Sequence, residues 1–225
     1  MGLLLRIVTV LALAAAAACV TASLWTLPAP VVDLPGTVAG ALAASGVEHP
    51  VTAVLLNFRA FDTLLEVAVL LVALLGAHTA TRPAVLVRGA RDPVLDVAAR
   101  SLIPVMLLTA IYLLWAGAVR PGGAFQGAAV IAAAGVLLVL SGMAPRSLQP
   151  VPAVRALVVL GPAVFLLVAV SGGAVLLALP TSEAKVRILL VESALTISLA
   201  LVLWSLFLCL AGVPSADDSR RGGHA

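Results

Sequence analysis

Charge is what this chain has least of. Asp, Glu, Lys and Arg make up 10% of its 225 residues, against about a quarter in an ordinary soluble domain. Hydrophobic residues reach 63%, and the mean hydropathy is +1.21. No water-soluble fold of this size hides that much apolar surface, so the chain reads as an integral membrane protein. Lysine is nearly missing as well: Lys185 is the only one. The arginines lie scattered between apolar runs instead of clustering with aromatics, which excludes a nucleic-acid surface. Cysteine is confined to Cys19 and Cys209, each inside an apolar stretch. They read as small buried hydrophobes more readily than as a disulfide or a metal pair. His49, His78 and His224 are far apart in the chain. There is no Gly-rich phosphate loop followed by Lys and no Ser/His/Asp set in a workable order. The expectation is a non-enzyme with no cofactor and no metal.

What is present is a series of long apolar runs. Residues 3–27 form the first, with Arg6 near its start and Trp25 near its end. A signal peptide is the rival reading, but the run continues to Leu27, long enough to span a bilayer. Pro28 to Pro50 is a break holding four prolines, with Val38–Ala44 as a candidate short interfacial helix. Val51–Phe61 reads as an amphipathic entry segment or as the start of a longer helix. The second span is placed at 60–79. Thr79–Arg100 is the most charged connection. The third span is expected over Ser101–Val119, with Pro104 in its first turn, where a missing N–H does least harm. A tight turn, Arg120–Gly127, leads into a fourth span ending near Met143. The fifth is Val154–Leu179, containing Gly161-Pro162 and Gly172-Gly173. Thr181–Arg187 is read as a loop, Ile188–Gly212 as the sixth span, and 214–225 as a disordered tail.

The expected fold is therefore all-α: a polytopic membrane bundle of about six transmembrane helices. Orientation follows from the basic residues. With the N-terminus inside, inner segments hold nine of them and outer segments four, which puts both termini in the cytoplasm. No convincing internal repeat is present, which counts against a self-sufficient secondary transporter.

The ionisable residues inside apolar runs carry whatever chemistry the chain has. Asp62 and Glu66 are four residues apart, so a helix places them on one face, one turn apart. They suggest a pair handling protons or cations. The plainer reading has Asp62 capping a helix and pairing with Arg59 while Glu66 anchors a neighbouring helix. Glu66 lies deeper and is followed by eleven consecutive non-polar residues, Val67–Ala77. Glu192 is the other acid in an apolar span, expected in the first turn of the sixth helix and in the same half of the membrane as Glu66. Asn57 and Arg59 are supporting polar groups at the outer interface. Pro121-Gly122-Gly123 permits a sharp reversal, which a hairpin turn explains fully. It leaves Gln126, a polar group near a helix start, as a candidate contact for another polypeptide.

These residues resemble a known family. Residues 50–66, PVTAVLLNFRAFDTLLE, look like the signature VTAVLLNFRGFDTLGE of Mrp-type (Mnh) multisubunit cation/proton antiporters. In that family the signature lies near the C-terminal end of the large subunit, or in an equivalent small subunit of membrane-bound hydrogenases. Arg120–Gly127 resembles the PGGGFQGG turn of the family's MnhB-type subunit, and Glu192 resembles the C-terminal acidic position of that same subunit. Ala60, Leu65 and Ala124 stand where the family has glycine, and Val119-Arg120 replaces a histidine that often precedes the turn. The resemblance implies residues 1–49 as a first helix and Pro-rich connection, 50–80 as a segment like the end of the large subunit, and 81–213 as an MnhB-like membrane domain. It implies a polypeptide that helps exchange Na+ or another monovalent cation for H+ within a complex in a bacterial plasma membrane, its partners being other subunits and lipid. Glu66, Asp62 and Glu192 become the ion-path candidates. Alternatives are a component of a related proton-pumping hydrogenase or respiratory complex, and a purely structural assembly factor.

Overall fold

The computed structural model describes residues 2–27, 32–80, 92–143, 152–171 and 181–210. The described residues form helices α1 (Gly2–Trp25), α2 (Leu34–Ser45), α3 (Pro50–Ala53), α4 (Ala60–Ala80), α5 (Pro93–Ala116), α6 (Ala124–Leu140), α7 (Pro152–Ser171) and α8 (Thr181–Leu210). A single π-helical turn, Val54–Phe58, continues α3. The expected all-α membrane bundle is what forms. Five helices are long and apolar enough to cross a membrane, or six if the α2 segment and Pro50–Phe58, bent by 80°, count as one broken span. The tail 214–225, the loop residues Arg82, Arg88, Arg91 and Arg146, and Gly172-Gly173 lie outside the described residues.

The chain divides into two compact units, Met1–Thr37 and Val38–Ala225. In the first, α1 is exposed from Arg6 to Trp25, Cys19 included, which corrects the expectation of a buried thiol. The second unit is built around α8. Helices α4, α5, α6 and α7 all pack against it. Its buried side includes Ile188, Val191, Glu192, Leu195, Ser198, Leu199 and Val202. With 30 residues it is about 45 Å long, more than the roughly 30 Å of a hydrocarbon core. Thr181–Arg187, read from sequence as a loop, forms its first two turns instead. Glu183 and Arg187 pair across one turn at 2.5 Å and Lys185 lies 3.8 Å from Glu48, so this polar stretch is a helical extension at the membrane boundary.

Two further expectations about helix starts are corrected. Asp92 caps α5 by accepting from the Val94 backbone N–H at 2.9 Å, and Pro93 occupies the first helical position. Both features favour initiation there. The third span thus starts eight residues before Ser101, and Pro104 is interior, not in the first turn. Glu192, likewise, stands eleven residues beyond Thr181 in the body of α8.

In lipid there is little hydrophobic gain in joining two helices, so close packing of small residues and satisfied polar groups hold the bundle. The face of α6 buried in the bundle is made of Ala124, Gly127, Ala128, Ala132, Ala134 and Gly135. The Trp204 indole of α8 lies so close to Gly135 that a Cβ there would stand 3.0 Å from the ring. The α7–α8 contact uses a different device. Pro162, inside α7, has no N–H for the carbonyl of Val158. Ser198 of α8 is fully buried and donates its hydroxyl to that carbonyl at 2.5 Å. Gly161 permits the approach, since a Cβ on it would lie 2.7 Å from the Ser198 Cβ. Gly161→Val is expected to destabilise the chain by about 1–3 kcal/mol through overpacking, seen as a lower unfolding midpoint in detergent.

Candidate functional site

The segment before α4 is held in place by polar side chains. Pro50 opens α3 after the extended residue His49. The His49 backbone N–H donates to the Ala118 carbonyl at 3.2 Å, and the Thr52 hydroxyl donates to the Gly117 carbonyl at 2.5 Å. These two bonds fix α3 against the end of α5. The π-helical turn then ends at Arg59, whose backbone (φ −130°, ψ 35°) is not helical. The Thr63 hydroxyl reaches back across this break to the Leu55 carbonyl at 2.6 Å. Asn57 donates from Nδ2 to the Ser45 carbonyl at 3.0 Å, so it acts as a brace for the turn.

On the facing side, α5 ends in the reversal Gly117–Gly123. The Gly123 backbone N–H folds back to donate to the Leu113 carbonyl at 2.8 Å. Gly123 itself has φ 112° and ψ −170° and stands as the residue before α6. That region is close to glycine-only. The reversal aims the start of α6 at Glu192. The carboxylate accepts from the Ala124 backbone N–H, and a Cβ on Gly123 would lie 2.8 Å from Glu192 Oε1. Free N–H groups and the positive end of the helix dipole make such a terminus a natural seat for an anion.

Glu192 is 4% exposed and has no cationic partner among the described residues. Its Oε2 is buried without a hydrogen bond. Beside it is a cavity of about 50 Å3, lined by Thr52, Thr63, Gln126 and Glu192 among apolar neighbours such as Leu56 and Leu195. That volume holds a few waters. Thr52 and Thr63 have already committed their hydroxyl protons to backbone carbonyls, so toward the cavity they can only accept. The site is thus rich in oxygen acceptors. It suits a species that brings donors or positive charge: water, a hydrated proton, or a small cation.

The other sequence candidates stand apart from this cavity. Arg59 and Asp62 pair at 2.6 Å with side chains 69% and 47% exposed. Asp62 and Glu66 do share one helix, but Glu66 is exposed on the outside of the chain. Because the Arg59–Asp62 pair is solvent-accessible, Arg59→Ala is expected to change stability by less than about 1 kcal/mol, measurable by the same detergent unfolding. Gln126 is exposed yet lines the cavity, while Gly122 and Gly123 form part of its wall. In the sequence, the Pro121-Gly122-Gly123 turn and Glu192 are separate features. The structure joins them in one site with Thr52 and Thr63, two residues that sequence reasoning does not single out. The available signal is that both threonines fall within the 50–66 stretch, PVTAVLLNFRAFDTLLE.

Residues 94–213, just over half of the chain, match the family described as a domain related to the MnhB subunit of Na+/H+ antiporter. No curated protein matches in sequence. In fold, the chain is similar to one in the Mrp complex from Dietzia sp. DQ12-45-1b, with TM-score 0.70 and 22% identity over 95% of this chain and 27% of that one. It therefore spans about a quarter of that longer chain. It is also similar to a chain of the membrane-bound sulfane sulfur reductase, an archaeal respiratory membrane complex, with TM-score 0.65 and 22% identity over 92% of this chain and 98% of that one. The protein is a multi-pass membrane protein, and it belongs to the family of domains related to the MnhB subunit of Na+/H+ antiporters.

Proposed function

We propose that this chain is a membrane subunit of a multisubunit monovalent cation/proton antiporter in a bacterial plasma membrane, and that Glu192 is its ion-handling group. One observation carries the second half: a buried carboxylate without a cation, held at a helix N-terminus beside a small cavity lined with oxygen acceptors. A purely structural acid in an apolar bundle is expected to be neutralised by a base or fully hydrogen-bonded. Glu192 keeps one oxygen unpartnered. Thr52, Thr63 and Gln126 would hold water or a desolvating cation against it, and Gly123 would give the site its shape. Asp62 is occupied by Arg59 and takes a structural role. Glu66 belongs to an outer surface, not to this cavity. Family membership and the fold shared with a chain of an Mrp complex support the assignment to an antiporter assembly.

A second reading, a component of a respiratory membrane complex, is favoured by one fact: the match in the sulfane sulfur reductase covers 98% of that chain. Everted membrane vesicles from cells lacking this chain, compared with vesicles from complemented cells, separate the two. Antiport predicts that added Na+ or K+ discharges a preformed proton gradient only in the complemented vesicles. Exchange that is the same in both would sink the antiporter assignment. Proton pumping that needs a reduced electron donor, with no response to cations, would favour the respiratory reading.

A further inference from the structure

Glu66 is the one described carboxylate inside a span that has neither an ion pair nor a hydrogen bond. It stands six residues into α4, about 9 Å along the helix from its start. Apart from the Arg59–Asp62 pair one turn back, the exposed residues around it are apolar: Leu65 and Val69 are 60% and 65% exposed. The nearest base in sequence, Arg59, is taken up by Asp62 at 2.6 Å. A carboxylate at this depth is costly when it faces lipid, so the exposed position calls for a covering group.

The same face shows what can come close. Glu66, Val69, Ala73, Gly76 and Ala80 recur at spacings of three and four residues, which is one stripe of a helix, and all five are exposed. A Cβ placed on Gly76 would meet nothing within 4 Å. Gly76 and Ala80 make a small-xxx-small step, the pattern that lets a second helix approach closely in a bilayer. Below Glu66 the stripe is smooth and narrow, and above it is a single negative charge.

We propose that this face of α4 seats a transmembrane helix of another subunit, and that this helix presents a Lys or Arg side chain to Glu66. The proposal rests on the reading of the chain as part of a multisubunit assembly, and not on what that assembly transports. Charge complementarity selects the occupant. Lipid chains supply no cation. A second copy docked by the same stripe about a two-fold axis would bring the two Glu66 carboxylates near one another, a like-charge contact.

Cysteine crosslinking in native membranes containing the whole complex tests this. The chain's two native cysteines, Cys19 and Cys209, are first replaced by Ala. Gly76→Cys and Ala73→Cys are then each labelled with a benzophenone maleimide, whose ketone inserts on irradiation into C–H bonds within reach, and are expected to give an adduct with a different polypeptide. Mass spectrometry is expected to place the crosslinked partner residue on an apolar helix with a Lys or Arg about ten residues away, on the side toward Glu66. Glu66→Lys is expected to lower the adduct at least tenfold, and an acid placed at the identified base is expected to restore it. Glu66→Gln, which preserves size, is expected to weaken the adduct without removing the chain from the membrane. An adduct between two copies, an adduct to residues 1–37 of this chain, or no protein adduct from either cysteine would overturn the proposal. So would a partner helix without a base, or a charge swap that fails to restore the adduct. If vesicles show no cation-coupled exchange but the charge swap restores the adduct, the antiporter assignment fails and this interface stands.

Discussion

Glu192→Gln is expected to abolish cation-driven proton exchange in vesicles while leaving the amount of assembled complex unchanged. The amide has nearly the same size, and its carbonyl oxygen can still accept from the Ala124 backbone N–H that now serves the carboxylate. What it loses is the ability to carry charge and to bind and release a proton. Removing a positioned proton-transfer group commonly costs about 100-fold or more in rate, and a loss of that order is expected here. The fold should not suffer. Glu192 has no cation to leave stranded among the described residues, so exchanging a buried charge for a neutral group is expected to be neutral or mildly stabilising. Blue-native gels report assembly and vesicle fluorescence reports exchange. Intact complex with wild-type exchange would sink the ion-handling role, and loss of the complex would support a purely structural acid. Glu192→Asp keeps the charge but draws it back by one methylene, and partial exchange is the expected result.

Gly123→Ala is expected to be nearly as damaging, for a different reason. The Gly123 backbone, φ 112° and ψ −170°, lies in a region that costs a residue with a Cβ about 1–3 kcal/mol. The added methyl would also stand 2.8 Å from Glu192 Oε1, so relieving the clash moves the carboxylate away from the start of α6. The substitution should therefore reduce exchange and lower thermal stability together, whereas Glu192→Gln reduces exchange alone. Gly40→Ala is the control. Gly40 lies within α2, and a Cβ there meets nothing within 4 Å. Its expected effect is nil or slightly stabilising.

The membrane class, the all-α architecture and the approximate positions of five of the six expected spans are legible in the sequence because long apolar runs leave few alternatives in lipid, whereas the expected fourth span is the shorter, 17-residue apolar helix α6. Helix starts are less legible. Asp92-Pro93 is a clear initiation signal, but it follows a charged connection, and charge reads as loop. Thr181–Arg187 misleads in the same way: i,i+4 pairing between Glu183 and Arg187 supports a helix that simply outlasts the bilayer. The site is half legible. Glu192 and the glycine turn both stand out, yet nothing local to either stretch reveals that they meet, since about seventy residues separate Gly123 from Glu192 in the chain and no rule of helix spacing reaches that far. The acids at 62 and 66 draw attention because they share one helix. Burial, which sequence spacing does not report, divides them from the cavity. Ser198 escapes notice for a similar reason. Its role depends on a carbonyl that Pro162 frees on another helix.

The central position of α8 has a consequence for biosynthesis. Helices α4, α5, α6 and α7 pack on a helix that follows all of them in the chain. During translation they enter the bilayer before the surface they share exists. The small-residue face of α6 and the freed Val158 carbonyl of α7 must wait in lipid until α8 arrives. A ribosome stalled before Thr181 would thus leave a set of membrane-inserted helices with no common core, exposed to quality-control proteolysis. Insertion of α8 is the step that joins α4, the paired α5 and α6, and α7 into one bundle, and the same step brings Glu192 to its seat.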